Sequence, residues 1–376
     1  MYRAFEVLLE GALDAAIAEG DIVVADRPAC RLETPALPVF GDATSRIALL
    51  IARRIGRPAP DVAHTLVRHV ADRRGWLDHV EAAGPGFVNF HASLAFWRTA
   101  LAAHLGAEPV AVAAHGRAIV LRVDPADAAV AARVRLVADG LDRLLAAAGY
   151  DVERVVGPID VLGGCRAASD VARVVVVHAQ THGAAARRAK DAFAEAGGQP
   201  GRLSGVAIAS LVVRDRGRAL ASAEAAVVLE RPAARFVLAG TPSGDPAVLD
   251  VDRLGSNRVD NPWVLVRYAL RRIARVAAPG ALDPPALEAL GETDRECLRE
   301  VGSHSDVVEL AARRLELHAL EQYARRLAAV FHRRYNRGAF DGTDPCVAHA
   351  RGILAGGIGH VLDVTLGMLD ASPGGE

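Results

Sequence analysis

Apolar residues recur at intervals of three and four through MYRAFEVLLEGALDAAIAEG, so the chain is expected to open on an amphipathic helix. DIVVADRP then reads as a short strand. GDATSRIALLIARRIG has a helical pattern stopped by Gly56, and APDVAHTLVRHVADRRG has a second one. HVEAAGPGFVNFHAS places a Gly-Pro-Gly turn before an alternating, strand-like run. Together these elements predict a small α+β domain over residues 1–110.

The period changes after that. GRAIVLRVDP is a buried-strand pattern. It is followed by the long helical run AAVAARVRLVADGLDRLLAAAGYDVERVV, which closes at Gly149 and returns to a strand. Strand–helix–strand order is the mark of a parallel α/β unit. SDVARVVVVHA and SGVAIASLVVRDRGRAL are further strands, with GAAARRAKDAFAEAGG as a helix between them, so residues 111–244 predict a small α/β core. From residue 245 onward the pattern is helical. Runs near 261–277, 285–301, 304–316, 317–338 and 344–370 predict a helix bundle over residues 245–376.

Composition limits the chemistry. The net charge is −1, so nucleic-acid binding would need a local basic patch. Lys190 is the one lysine; the other basic residues besides histidine are arginines, as codon bias alone would produce. Cys30, Cys165, Cys297 and Cys346 are scattered, which suggests neither a zinc site nor a disulfide framework. His64, His69, His79 and His91 read as surface or turn residues, and no metal site is expected from them. Glu6, Glu10 and Asp14 interrupt the N-terminal helix, so it does not read as a signal peptide. Runs such as VARVVVVHA are too short to span a bilayer, and a cytoplasmic protein without a membrane partner is expected. No Walker loop, GxSxG or HExxH motif occurs. GPGF and VLGG read as turns rather than phosphate cradles.

Three stretches, in order, resemble arginyl-tRNA synthetases. VFGDATSRIALLIARRIGRPAPDVAHTLVRHV with EAAGPGFVNFHAS is similar to that family's N-terminal domain, which docks on the tRNA elbow. ARFVLAGTPSGDPAVLDVDRLGSNRVDNPWVLVRYALRRI resembles the passage from catalytic core to anticodon-binding bundle. HALEQYARRLAAVFHRRYNRG, continuing to HVLDVTLGML, resembles the rest of that bundle. The resemblance implies an α/β plus all-α chain. Its parts would be an N-terminal elbow-type domain, a reduced Rossmann-like parallel core and a DALR-type anticodon-binding domain.

The middle departs from the family. ADGLDRLLAAAGYDV matches the helix after the ATP-binding HxGH motif, and counting back places that motif on Ala128, Ala129, Val130 and Ala131. Both imidazoles are replaced, so their stabilisation of charge growing on ATP phosphates is gone. A mobile cationic loop is expected at RDRGRALASAEA, residues 214–225. It holds Arg214, Arg216 and Arg218 but no lysine. GIGH, residues 357–360, copies half the missing motif but lies in the C-terminal helical run, away from any strand–helix turn.

Asn261 and Pro262 suit a helix start, and Trp263, Val266, Leu270 and Ile273 share the face expected to be buried. Tyr268, Arg271, Arg272 and Arg275 share another face, where an aromatic could stack a base and arginines meet phosphates. A half-buried tyrosine among solvated arginines fits the same spacing. Further on, His332, Arg333, Arg334, Tyr335 and Asn336 follow the core candidate Phe331; the resemblance places Tyr335 and Asn336 at the anticodon loop. It also places Asn89 and Phe90 near the tRNA D-loop, although strand alternation lets only one of them face outward.

These readings point to a non-catalytic tRNA- or RNA-binding paralogue with no cofactor. One alternative is an active arginine–tRNA ligase or arginine-activating enzyme, which would use ATP and arginine. Another is a regulatory scaffold with a protein partner in translation or amino-acid metabolism.

Overall fold

A computed structural model describes residues 1–35, 37–105, 118–123, 128–156, 173–183, 187, 191, 202–256, 261–278, 284–340 and 344–373. In chain order the elements begin with α1 (Tyr2–Ala18), β1 (Ala43–Ser45), α2 (Ile47–Ile55), α3 (Ala59–His69), β2 (Leu77–Ala83), β3 (Phe87–Ala92) and α4 (Leu94–Leu105). Next come β4 (Ala118–Val123), α5 (Ala128–Ala147), β5 (Asp151–Val156), β6 (Arg173–Ala179), β7 (Leu203–Ile208), β8 (Leu211–Asp215) and β9 (Arg218–Ala219). Then follow α6 (Ser222–Leu229), α7 (Pro232–Ala239), β10 (Ala247–Asp250), α8 (Val251–Gly255) and α9 (Pro262–Val276). The last helices are α10 (Pro284–Glu288), α11 (Arg295–Gly302), α12 (His304–Arg314), α13 (His318–Asn336) and α14 (Pro345–Met368). The predicted helix over 183–198 and the VLGG turn fall largely or wholly outside the described residues.

The chain divides into two compact units, Met1–Ala103 with Leu282–Asp306, and His104–Ala281 with Val307–Glu376. In the first, β3 is the centre of an antiparallel sheet ordered β1-β3-β2, packed against α2 and α3. Phe5 of α1 stacks on Phe90 of β3 at 5.7 Å and meets Phe96 at 5.0 Å, so an aromatic cluster closes the core. The returning segment 282–306 is fastened by two arginines. Arg98 donates to the carbonyls of Leu290 and Glu288, and Arg295 donates to Ala92 O and Asp78 Oδ2, both at 2.7 Å. A Cβ on Gly302 would lie 2.8 Å from the Trp97 ring, so glycine permits that close approach.

DIVVADRP forms no strand. The Asp21 and Asp26 carbonyls accept instead from Arg57 and Arg54, both at 2.6 Å, and Val23 is exposed. Side chains have taken the place of a neighbouring strand's donors.

The second unit holds a parallel sheet ordered β5-β4-β6-β7, and α5 links β4 to β5 as the period change predicted. Its central strands are valine-rich and buried, as a strand covered on both faces requires. Gly149, at φ +83°, ends the run after α5 in the left-handed conformation that glycine adopts without strain. The stretch read as one long strand breaks into β7, β8 and β9; β8 pairs with β10 in parallel and with β9 antiparallel. Buried Arg133 of α5 ties the loops together, donating to the carbonyls of Ala209, Ser210, Pro242 and Asp245. The helices α9, α13 and α14 pack on one another. The GIGH glycines serve that packing. Gly357 and Gly359 are buried in α14, and a Cβ on Gly359 would stand 3.0 Å from Ile273 of α9. No described helix is long and apolar enough to cross a membrane.

Candidate nucleic-acid interface

Helix α9 begins as its sequence requires. Asn261 Oδ1 accepts from the Trp263 amide at 3.1 Å, while its Nδ2 donates to the carbonyls of Arg253, Leu254 and Ser256. Pro262 occupies the first turn, where a missing amide hydrogen costs nothing. Trp263, Val266, Ala269 and Ile273 are buried, which turns Tyr268, Arg271 and Arg275 outward. Trp263 meets Phe236 of α7 at 5.6 Å.

Helix α13 lies against α9, with Tyr323, Leu327, Val330 and Phe331 buried. Phe331 is therefore a core residue, in ring contact with Tyr335 and Phe340. The two helices bring four other expected site residues, Tyr268, His332, Tyr335 and Asn336, together around Arg272. Its guanidinium carbon stands 4.7 Å from the centroid of the Tyr268 ring and 4.6 Å from that of Tyr335. Nη1 donates to Asn336 Oδ1 at 2.9 Å and to His332 Nδ1 at 3.2 Å. The other ring nitrogen, Nε2, donates to Leu265 O at 3.0 Å. A guanidinium cannot accept and a carbonyl cannot donate, so His332 is the neutral Nε2–H tautomer. Burial depresses its pKa, against the Leu265 bond, and the Arg272 charge depresses it further.

Two tyrosines, a fixed cation and an amide therefore form one preorganised patch. Tyr268 is 51% exposed and Asn336 is exposed. Arg271, Arg275 and Arg333 are exposed, and Arg334 is half-buried. A π-face flanked by guanidinium groups is equipped to take an unpaired base and its phosphate. The spacing of α9 paired Tyr268 with Arg272, but nothing local announced the partners on α13 or the Leu265 carbonyl.

Asn89 and Phe90 of the first unit are both buried, so neither faces outward. Their strand is central in its sheet. Phe90 packs on Phe5, while Asn89 accepts from Thr44 Oγ1 at 2.7 Å and donates to Glu81 Oε1 at 3.4 Å.

Two regions bear on nucleotide chemistry. Ala128–Ala131, aligned with the ATP motif, form the first turn of α5. The stretch 214–225 is a β8–β9 hairpin turning at Arg216 and Gly217, followed by the first turn of α6. Within it Arg218 donates to Glu224 at 3.1 Å, and that bond holds the Glu224 carboxyl below its usual range.

Residues 7–92 match the family described as the arginyl tRNA synthetase N terminal domain, and residues 266–374 match the DALR anticodon binding domain. An arginine–tRNA ligase of Geotalea daltonii is 35% identical over 101 residues, 27% of this chain and 18% of that protein. One from Moorella thermoacetica is 31% identical over 160 residues, 40% of this chain and 29% of that protein. The matches thus span less than a third of either relative. Among solved structures, the Thermus thermophilus arginyl-tRNA synthetase aligns over 99% of both chains, with a TM-score of 0.73 and 13% identity. The Plasmodium falciparum enzyme aligns over 99% of this chain and 98% of its own, with a TM-score of 0.75 and 9% identity; at such identities the likeness is one of fold. Matched at both ends in chain order and similar in fold to these enzymes, the chain carries an arginyl-tRNA synthetase N-terminal domain and a DALR anticodon-binding domain.

Proposed function

We propose that this chain is a non-catalytic arginyl-tRNA synthetase-like protein that binds tRNA, or a similarly structured RNA, through the α9–α13 face. The observation that carries the reading is Arg272 clasped between Tyr268 and Tyr335 and bonded to Asn336, within the anticodon-binding domain. Arg272 fixes the rings and amide before RNA arrives, so less ordering entropy is lost on binding. A base stacked on the exposed Tyr268 flank or on Tyr335 would contribute about 1–3 kcal/mol. Asn336 supplies a hydrogen-bonding edge, while Arg271, Arg275 and Arg333 meet phosphates.

The non-catalytic part rests on the ATP motif. Ala128 and Ala131 stand at the two histidine positions of that motif, and alanine has no side-chain donor for a phosphate. Arg218, a cation of the hairpin that would face pyrophosphate, is engaged by Glu224.

The test is tRNA affinity by fluorescence anisotropy at several salt concentrations, paired with arginine-dependent ATP–pyrophosphate exchange. Affinity should fall steeply with salt. Tyr335→Ala should weaken binding with little change of slope, and Arg333→Ala should lower the slope by about one unit. Binding no tighter than that of an unrelated acidic protein would sink the RNA reading. Clear exchange turnover would favour an active ligase and sink the non-catalytic one.

A further inference from the structure

The first unit carries a cluster that the RNA-binding reading does not use. His79 and Glu81 sit two residues apart on β2, so their side chains emerge on the same face of the sheet. His91 of β3 pairs directly with His79 in the register. Cross-strand neighbours have Cβ atoms about 5 Å apart, close enough for their side chains to share one small ligand. The two imidazoles lie parallel, centroids 3.9 Å apart and planes 16° from each other. Glu81 Oε1 is 3.5 Å from His91 Nε2. One donor atom from each of the three lies within 4.8 Å of the others.

Three further features point to a ligand. His91 Nε2 is buried and makes no hydrogen bond, an unfavourable state for an imidazole nitrogen unless something else engages it. Gly41, at φ +96°, flanks this nitrogen. A Cβ there would come within 3.2 Å of it, so the missing side chain keeps that flank open. The register of β2 also shifts between Leu77 and His79, an irregularity of the kind that re-aims a side chain. β2 is an edge strand and His79 is exposed, so an ion could enter from solvent.

We infer that His79, Glu81 and His91 form a zinc-binding site. Two neutral imidazoles and one carboxylate suit a borderline ion such as Zn²⁺ better than Mg²⁺ or Ca²⁺, which prefer oxygen donors. The fourth position falls to water. The ion clamps the edge strand β2 to the central strand β3. Glu81 also accepts from Asn89, so the clamp extends to the Thr44–Asn89 bond inside the sheet. A second grouping in this unit, Glu19, Asp21 and His69, is built differently. His69 Nε2 is already bonded to Asp21 at 3.0 Å, and Arg68 neutralises the same carboxylate, which makes it an ion-pair network.

The experiment is titration of untagged, metal-stripped protein with Zn²⁺, by calorimetry and by competition with a fluorescent zinc chelator. Parent and variants share a Cys346→Ser background, because that thiol is exposed. One tight equivalent is expected. His79→Gln, Glu81→Gln and His91→Gln should each weaken it at least tenfold, while His69→Gln leaves it unchanged. Co²⁺ loading should give the visible absorption of a four-coordinate ion with two nitrogen donors in the parent and lose it in His79→Gln. His79 is exposed, so its variant tests the site even if His91→Gln fails to fold. Zinc uptake of equal affinity and stoichiometry in the His79→Gln and Glu81→Gln proteins would overturn the inference. So would loss of uptake in His69→Gln, or no uptake by the parent.

Discussion

Glu321 of α13 offers a quantitative test of how the second unit is packed. The residue is 2% exposed and its side chain lies against Gly240, where a Cβ would stand 3.0 Å from Glu321 Cδ. Arg325 comes within 3.6 Å, from a side chain that is 51% exposed. Burial outweighs that pairing and raises the pKa from 4.5 to about 7. A folded value above the unfolded one means that stability is fully present below 4.5 and is lost as pH rises through about 7. The gap between the two values corresponds to about 3 kcal/mol, most of it lost between pH 5 and pH 8. Glu321→Gln keeps the shape and removes the ionisation. Urea unfolding of both proteins at pH 5 and pH 8, followed by helical circular dichroism, measures the difference. The Gln variant should gain about 2–3 kcal/mol on the parent between these pH values. An advantage below about 0.5 kcal/mol, or one that shrinks as pH rises, would show Glu321 ionised and satisfied by Arg325, and the argument from burial would be wrong.

The other expectations concern the interface and the bundle. Arg272→Met should weaken tRNA binding about tenfold or more at every salt concentration, because it releases both tyrosines and Asn336; Arg271→Ala should instead flatten the salt dependence by about one unit. The same loss of slope in both would show Arg272 to be an ordinary phosphate contact. Gly352→Ala should cost about 1–3 kcal/mol in urea unfolding, since the new Cβ would meet Ala278 at 2.7 Å; Gly356→Ala in the same helix, with nothing within 4 Å, should be neutral or stabilising. His332 should appear in nitrogen–proton NMR as the neutral Nε2–H tautomer and titrate below 6.5. The unfolded chain then takes up this proton first, so stability is lost as pH falls from 6.5 through the lower folded value.

Much of the architecture is local and therefore legible in the sequence. The Asn261-Pro262 start of α9, its buried stripe of Trp263, Val266 and Ile273, and the β4–α5–β5 unit closing at Gly149 all follow from neighbours a few residues apart. Periodicity and capping encode such relations because a helix or strand brings near residues together in a fixed way. The candidate site was half legible. Spacing set Tyr268 beside Arg272 on one helix, and the run ending in Tyr335 and Asn336 stood out for its charge.

Which distant groups meet is settled by packing across the fold. Arg272 reads from spacing as one of several solvated arginines; packing against α13 makes it the centre of a patch and fixes the tautomer of His332. Asn89 and Phe90 could not both face outward by alternation, and a central strand position turned both inward. DIVVADRP has strand chemistry, yet arginines from other segments took its carbonyls. Residues 282–306 continue a helical pattern, but Arg98, Arg295 and Gly302 join them to the first unit. Local spacing was enough for most elements and for the buried stripe of α9. Partners tens or hundreds of residues apart depend on shape and burial across the whole fold, which no local period records.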